Sequence, residues 1–473
     1  MTTYSAVRTT GIYCRPGCGA RPRADNVTTY ELAAAAEAAG YRACLKCRPY
    51  RVAGPVSPAA PELVCRAVQL IIAGALDEGT ESALGNRLGV SARHLRRLFN
   101  DHLGATPTQL AHSRRAHFAR RLLDDSDLSI AQVAFASGFG SIRHFNRAMS
   151  DVFRSSPRDL RERRRRNDRL VADGGLTLRM PFNPPFNWDA THRHLARRAV
   201  PGVESVIDGT YRRTITVDGA PGVLEIGSGG ADHLLLRAHL PYWEGLIHIV
   251  ERAARMVGVD TDVAAGEELL ANDPILAATV RRQLGLRVPG AWDPFEIGVK
   301  AIVHQALDHE SASRALGSIV RAHGAHVPGL SNGLTHTFPT AETLAAATLT
   351  GRQLPRRTGR AIVDFAAAVN TKAIDLDGAA GFDRLAASIA GIRGVEANTA
   401  EQIALHLGHH DAFPGDEPSL KRALAALDVG TDTGTGTGTV YELSERWRPW
   451  RALAATHLIA HADALDSAVQ RSA

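Results

Sequence analysis

Four cysteines fall in the first fifty of 473 residues: Cys14 and Cys18 in "TTGIYCRPGCGARPR", 9–23, and Cys44 and Cys47 in "RACLKCRPY", 42–50. The pattern C-x3-C…C-x2-C places two chelating pairs on short loops, and two such pairs close around one tetrahedral ion. Zn2+ is the natural guest for four thiolates. A redox pair is the competing reading. Four thiolates around a divalent ion leave a formal charge of −2, which makes one sulfur strongly nucleophilic. Alkylation of that sulfur removes one negative charge, so the same centre serves as a staple or as a chemical switch near phosphates. A segment this short needs such a staple to fold. Cys65, in "PELVCRAVQLI", sits on an apolar helical face and reads as an inert thiol.

Two further stretches carry exposed bases on a helical grammar. In "ESALGNRLGVSARHLRRLFNDHLG", 81–104, a short helix ends near Gly89 and Ser91 caps a second one. Leu84, Leu88, Val90, Leu95, Leu98 and Phe99 face inward, leaving Arg93, His94, Arg96 and Arg97 outside. The grammar returns in "SIAQVAFASGFGSIRHFNRAMSDVFRSSP", 129–157, with Ile130, Val133, Ala134, Phe139, Phe145 and Phe153 inward and Arg143, His144, Asn146 and Arg147 outward. The stretch 106–126, with Pro107 in its first turn, predicts a connecting helix. Two such units on a stiff connector fit successive major-groove faces of double-stranded DNA; a plain helical bundle is the bland alternative. A third feature lies at 385–408. There "GIRGVEANTAE" predicts a tight turn between two helices, and a turn glycine, Gly394, with a helix start behind it suits a phosphate.

The bulk numbers frame these features. The chain is too long for one core, and at 44% hydrophobic it can bury several. No apolar run reaches the roughly 18 residues of a membrane span, and no secretory signal is visible at the start. A cytoplasmic address and no membrane partner follow as expectations. Net charge is +6, with clustered arginines that suit nucleic acid. The elements predicted are a cysteine-bearing segment, 1–50; a Pro/Ala linker near 50–62; short helices over 60–165; a charged hinge at 161–169; strands and helices mixed over 175–285; and helices over 286–473, interrupted by a low-complexity loop at 430–440. The fold class is multidomain α+β.

The motifs resemble known families. "AVRTTGIYCRPGC" and "AAGYRACLKCRP" are similar to the N-terminal domain of Ada-type methylphosphotriester sensors. That resemblance implies that Cys14 accepts a methyl group from a DNA phosphotriester, that Cys14, Cys18, Cys44 and Cys47 hold zinc, and that Thr10, Arg21 and Arg42 touch DNA. Relatives carry a further stretch ahead of this point, so a truncated start or a weakened domain is expected. The tandem units resemble the AraC-type DNA-binding domain, which implies base reading at a promoter by Arg93, His94, Arg97, Arg143, His144 and Arg147, with RNA polymerase as a partner.

The C-terminal half, through "RVPGAWDPFEIGVKAIVHQ", "DAFPGDEPSLKRAL" and "ERWRPWRALAATHL", resembles AlkA-type alkylbase DNA glycosylases. The resemblance implies a sheet subdomain followed by a helix-hairpin-helix domain that flips an alkylated base and hydrolyses its glycosidic bond. The carboxylate it requires falls on Glu417 without gaps or on Asp416 after a one-residue slide. The family's aromatic walls fall on Asn398, Gln402 and Ile459, its wedge on Ala306, and the hairpin's second glycine on Glu396. Asn398 also stands where a lysine would give backbone cleavage, so a monofunctional enzyme is expected. Three functions stay open: a sensor-activator that also excises 3-methyladenine-type bases, a sensor-activator whose second half is a non-catalytic DNA-binding module, and a zinc-stapled transcription factor without chemistry.

Overall fold

A computed structural model of the chain describes residues 3–49, 60–165, 168–170, 175–350, 353–376, 381–427, 429 and 437–472. Most of the predicted linker at 50–62, part of the charged hinge and most of the low-complexity loop lie outside the described residues. The chain forms two compact units. One comprises Met1–Pro184, Ser228–Ala254 and Val259–Asp262; the other comprises Pro185–Gly227, Arg255–Gly258 and Val263–Ala473.

The first unit begins with a small sheet of short strands: β1 (Tyr4–Val7), β2 (Ile12–Cys14), β3 (Val27–Tyr30) and, after helix α1 (Ala33–Ala38), β4 (Arg42–Ala43). Their order is β3-β1-β2-β4, antiparallel except for the parallel pair β2/β4. Period-2 alternation buries Tyr4, Ala6 and Tyr13 on one face. Helices α2 (Glu62–Ile72), α3 (Glu81–Arg87), α4 (Ala92–Leu103), α5 (Pro107–Asp125), α6 (Ile130–Ala136), α7 (Ile142–Phe153) and α8 (Pro157–Glu162) follow.

Local chemistry sets their ends. Ser91 Oγ accepts from the His94 amide and Ser141 Oγ from the His144 amide, both at 3.2 Å, starting α4 and α7. Thr106 and Gln109 form a capping box with Pro107 in the first turn of α5. Gly104 ends α4 at φ +65, and a Cβ there would stand 3.1 Å from Ala35 Cβ in α1, so this C-cap needs glycine on both counts. Leu95, Phe99, Phe145 and Phe153 are buried as the periodicity predicts, whereas Ile130 is only partly covered. Strand β5 (Leu176–Pro181) completes the chain's first passage through this unit.

In the second unit, helix α9 (Trp188–Arg197) precedes a meander of β6 (Glu204–Ile207), β7 (Thr210–Val217) and β8 (Ala220–Ser228), paired antiparallel. The chain then returns to the first unit, where β9 (His233–His239) pairs with β5 in the register Leu178↔Leu236 and α10 (Leu246–Met256) begins. The rest of the second unit is helical: α11 (Ala264–Leu270), α12 (Ala277–Arg282), α13 (Pro294–His304), α14 (His309–His323), α15 (Ala341–Ala345), α16 (Arg356–Asn370), α17 (Phe382–Ala390), α18 (Ala397–His406), α19 (Pro418–Ala426), α20 (Thr437–Ser444) and α21 (Arg451–Ser472). Its core includes Phe295 stacked on Phe365, centroids 5.7 Å apart. A Cβ on Gly298 would come within 2.3 Å of Phe365, so α13 and α16 approach only through that glycine. Trp447 and Trp450 are buried in the same core.

Candidate functional site

The parallel pair β2/β4 sets Tyr13 opposite Ala43 and so brings Cys14 and Cys44, the next residues of each strand, side by side. A turn through Gly17, at φ +71, returns Cys18 toward them, and the loop after β4 returns Cys47. One sulfur from each of the four residues lies within 4.8 Å of all the others. The Arg15 amide donates to Cys47 Sγ at 3.5 Å. Hydrogen bonding between the sulfurs pulls the Cys44 thiol well down and pushes that of Cys14 well up. A metal ion takes such ligands as thiolates, so its binding releases their protons. Four sulfurs at this spacing fit a tetrahedral zinc ion, and zinc is the cofactor of this segment. Cys14 is the most covered of the four, 7% exposed. Thr10 and Arg21 are exposed, and Arg42 is half-buried, its guanidinium donating to the Ala43 carbonyl at 3.3 Å. Cys65 is half-buried and its thiol, pushed up by burial to about 11, is suited to packing.

On helix α4, Arg93 and Arg97 are exposed and His94 is half-exposed, with an Arg97 Nη2···His94 Nδ1 contact of 3.0 Å. Arg96 turns away from this set to pair with Glu81 of α3. On α7, Arg143, His144 and Arg147 are all exposed.

The second unit contains a cavity of about 950 Å3. Glu417, at the start of α19, lines it and accepts a hydrogen bond from Gln402 Nε2 at 2.6 Å. The helix dipole favours negative charge there. The neighbouring Asp416 points elsewhere, pairing with Lys421 Nζ at 2.7 Å. Gln402, Ile459 and Ala306 line the cavity. Gly394 sits in the hairpin between α17 and α18 at φ +93. Gln305 pins that hairpin: its Nε2 donates to the Gly394 carbonyl at 3.0 Å, and its Oε1 accepts from the Glu396 amide at 3.0 Å and the Thr399 hydroxyl at 2.6 Å. The Glu396 amide is thus already engaged within the protein.

Four histidines, His194, His304, His309 and His406, share the cavity wall with Lys300. Lys300 is held at 2.9 Å by Glu204, which also accepts from the Tyr211 hydroxyl at 2.6 Å. Burial holds the imidazoles neutral, lowering His304 to about 3 and His309 and His406 to about 4, with Arg198 reinforcing the effect on each. The unfolded chain binds these protons near pH 6.5 and the fold does not, so their contribution is present above 6.5 and lost as pH falls toward 4. The unfolding free energy measured in urea therefore drops between pH 7 and pH 4.5, by up to about 1–2 kcal/mol per buried histidine near pH 5. The drop is shallower in His406→Gln; an equal slope in both proteins contradicts the assignment.

None of Gln305, His194 or Lys300 carried a local signal in the sequence, since each acquires its place from residues remote along the chain.

Three family models match: the metal binding domain of Ada over residues 2–50, a helix-turn-helix domain over 84–163 and the AlkA N-terminal domain over 177–293. The Mycobacterium tuberculosis protein named "Probable bifunctional transcriptional activator/DNA repair enzyme AlkA" is 37% identical over 463 residues, covering 96% of this chain and 91% of its own length. DNA-3-methyladenine glycosylase 2 of Escherichia coli is 25% identical over 281 residues, 59% of this chain and 94% of its own. Among solved structures, the 3-methyladenine DNA-glycosylase from Archaeoglobus fulgidus superposes with a TM-score of 0.53 at 21% identity, over 60% of this chain and 98% of that one, a likeness of fold. Among the described residues, no helix is long and apolar enough to cross a membrane.

Proposed function

The chain belongs to the family of bifunctional transcriptional activator/DNA repair enzymes, and from that membership we propose that it joins a methyl-triggered activator to a DNA glycosylase acting on alkylated bases. The duties divide along residues 1–50 for the methyl acceptor, 60–165 for promoter binding, and 175–285 with 286–473 for base excision. The chain works in the cytoplasm on double-stranded DNA, both damaged and promoter, and activates through RNA polymerase.

In the first activity the Cys14 thiolate attacks the methyl carbon of a DNA methylphosphotriester. The S–C bond forms, the C–O bond breaks, and the bonding pair leaves with the phosphate, restoring a phosphodiester anion. Bound zinc keeps the four thiols deprotonated and leaves them electron-rich. Cys14 ends as an uncharged thioether, so repulsion of DNA phosphates falls and promoter binding tightens. Thr10, Arg21 and Arg42 hold the damaged strand. Arg93, His94, Arg97, Arg143, His144 and Arg147 contact the promoter. The observation that carries this activity is the gathering of the four sulfurs within 4.8 Å, with Cys14 closing strand β2.

In the second, a flipped base enters the cavity with Gly394 of the hairpin at the phosphate. Glu417 supports the positive charge developing on the sugar and takes a proton from the attacking water, while the alkylated base leaves as a neutral molecule with the bonding pair. With Asn398 rather than a lysine at the hairpin, the product is an intact strand bearing an abasic site. The replacement of aromatic walls by Gln402 and Ile459 favours the second reading, a non-catalytic DNA clamp, because a cationic base gains about 1–2 kcal/mol from each stacked ring.

Incubating the protein with methylated duplex decides between them. Release of 3-methyladenine without strand incision is expected. No release leaves the clamp; incision contradicts the monofunctional assignment.

A further inference from the structure

Next to Cys14 and next to Cys47 the chain sends one side chain each into the helical part of the same unit. Strand alternation turns Tyr13 to the face opposite Cys14, where it is wholly buried. Its hydroxyl donates to Glu37 Oε1 of α1 at 2.5 Å and lies 2.9 Å from His117 Nε2 of α5. His117 Nε2 is in turn 2.7 Å from Glu37 Oε1. The His117 ring packs edge-on against Phe153, the last residue of α7, at a centroid distance of 5.4 Å. On the other side Arg48, 5% exposed, pairs with Asp124 near the end of α5 at 3.1 Å and with Asp168. Asp124 also forms an ion pair with Arg120, one turn back on α5, at 2.8 Å. Strand β4, which leads into Cys44, packs against α7, and Ala35 of α1 closes on the C-cap of α4 at Gly104.

Helix α5 is the 19-residue rod between the two recognition units. It is gripped at its middle by Tyr13 and Glu37 through His117, and at its end by Arg48 through Asp124. Both grips issue from residues adjacent to sulfur ligands. Buried polar contacts of this kind tolerate little slack, because a displaced partner leaves an unpaired group in the interior. A shift of β2 or of the Cys47 loop is therefore passed to α5 and to Phe153 rather than absorbed.

We propose that Tyr13 and Arg48 are positioning residues that couple the four-sulfur centre to α5, so that the chemical state of Cys14 sets the relative placement of α4 and α7 on the promoter. This rests on Cys14 being the methyl acceptor. It adds a second route to the loss of charge: the centre acts on promoter affinity through the rod as well as through the phosphates beside it. The charge effect needs no contact between Tyr13 and His117; the mechanical one does.

The test uses the full zinc-loaded chain and a duplex that the wild-type chain selects from a random pool. Affinity for that duplex is measured before and after exposure to methylated DNA, and a mass spectrum of the same sample reports Cys14. In the wild type, Cys14 gains one methyl group and affinity rises. In Tyr13→Phe and in His117→Gln the unmethylated affinity moves by less than about twofold, while the rise on methylation shrinks by about fivefold or more. The double variant loses no more than either single one, since both break the same link. A full rise in both single variants with Cys14 methylated overturns the coupling. An unmethylated Cys14 in the wild type overturns the underlying reading, and the coupling with it.

Discussion

Glu417→Gln slows release of alkylated bases by about 10²- to 10⁴-fold, while Asp416→Asn leaves the rate within about threefold of wild type. The two residues are adjacent, and the geometry separates them. Glu417 lines the cavity at the N-cap of α19, with one carboxylate oxygen engaged by Gln402 at 2.6 Å. The other oxygen is available to a sugar or a water. Asp416 is committed to Lys421 on the solvent side. Glutamine keeps the size and hydrogen-bonding capacity of Glu417 but removes its charge, so it isolates the support given to a cationic sugar. Single-turnover release of 3-methyladenine at matched protein and DNA concentrations reads the effect. The reverse ranking would place the reacting carboxylate on Asp416 and require the loop before α19 to slide by one residue.

Cys14→Ser takes up no methyl group and shows no change in promoter affinity after exposure to methylated duplex. A serine hydroxyl is neither an anionic ligand nor a strong nucleophile at neutral pH. Its second consequence is structural. Structural zinc contributes about 10–16 kcal/mol of binding energy to folding in small zinc domains, and this substitution removes one of four ligands. The variant therefore loses zinc to a chelator at concentrations that leave the wild type loaded. Zinc content measured beside the mass spectrum separates the two losses. Methyl uptake on another cysteine in this variant would move the acceptor away from residue 14.

What the sequence disclosed follows from range. The cysteine pairs are separated by three and by two intervening residues, so their chelating geometry is written locally. Helix-turn-helix units repeat an inward pattern over single turns, and Ser91 and Ser141 cap as their positions require. Strands β8 and β9 show the two-residue alternation of half-buried sheet, while β5 and β7 each carry a run of three buried residues. The first sheet escaped notice because its strands span two to four residues, too few for a period. The contacts of Tyr13 escaped for a different reason: its partners stand 24 and 104 residues away, and nothing local marks a tyrosine for them. Gln305 reaches across about ninety residues to the hairpin in the same way. Asp416 and Glu417 differ by a single residue of register just ahead of α19, a difference that a pattern read along the chain does not resolve.

The account's central claim is that a methyl group captured at residue 14 changes how tightly the chain holds its promoter. Promoter affinity of the wild-type protein before and after a single exposure to DNA carrying methylphosphotriesters tests it most directly, with the Cys14-bearing peptide weighed from the same sample. The account predicts one methyl group on Cys14 and a tighter complex. A methylated Cys14 with unchanged affinity, or a tighter complex with Cys14 unmodified, would contradict it.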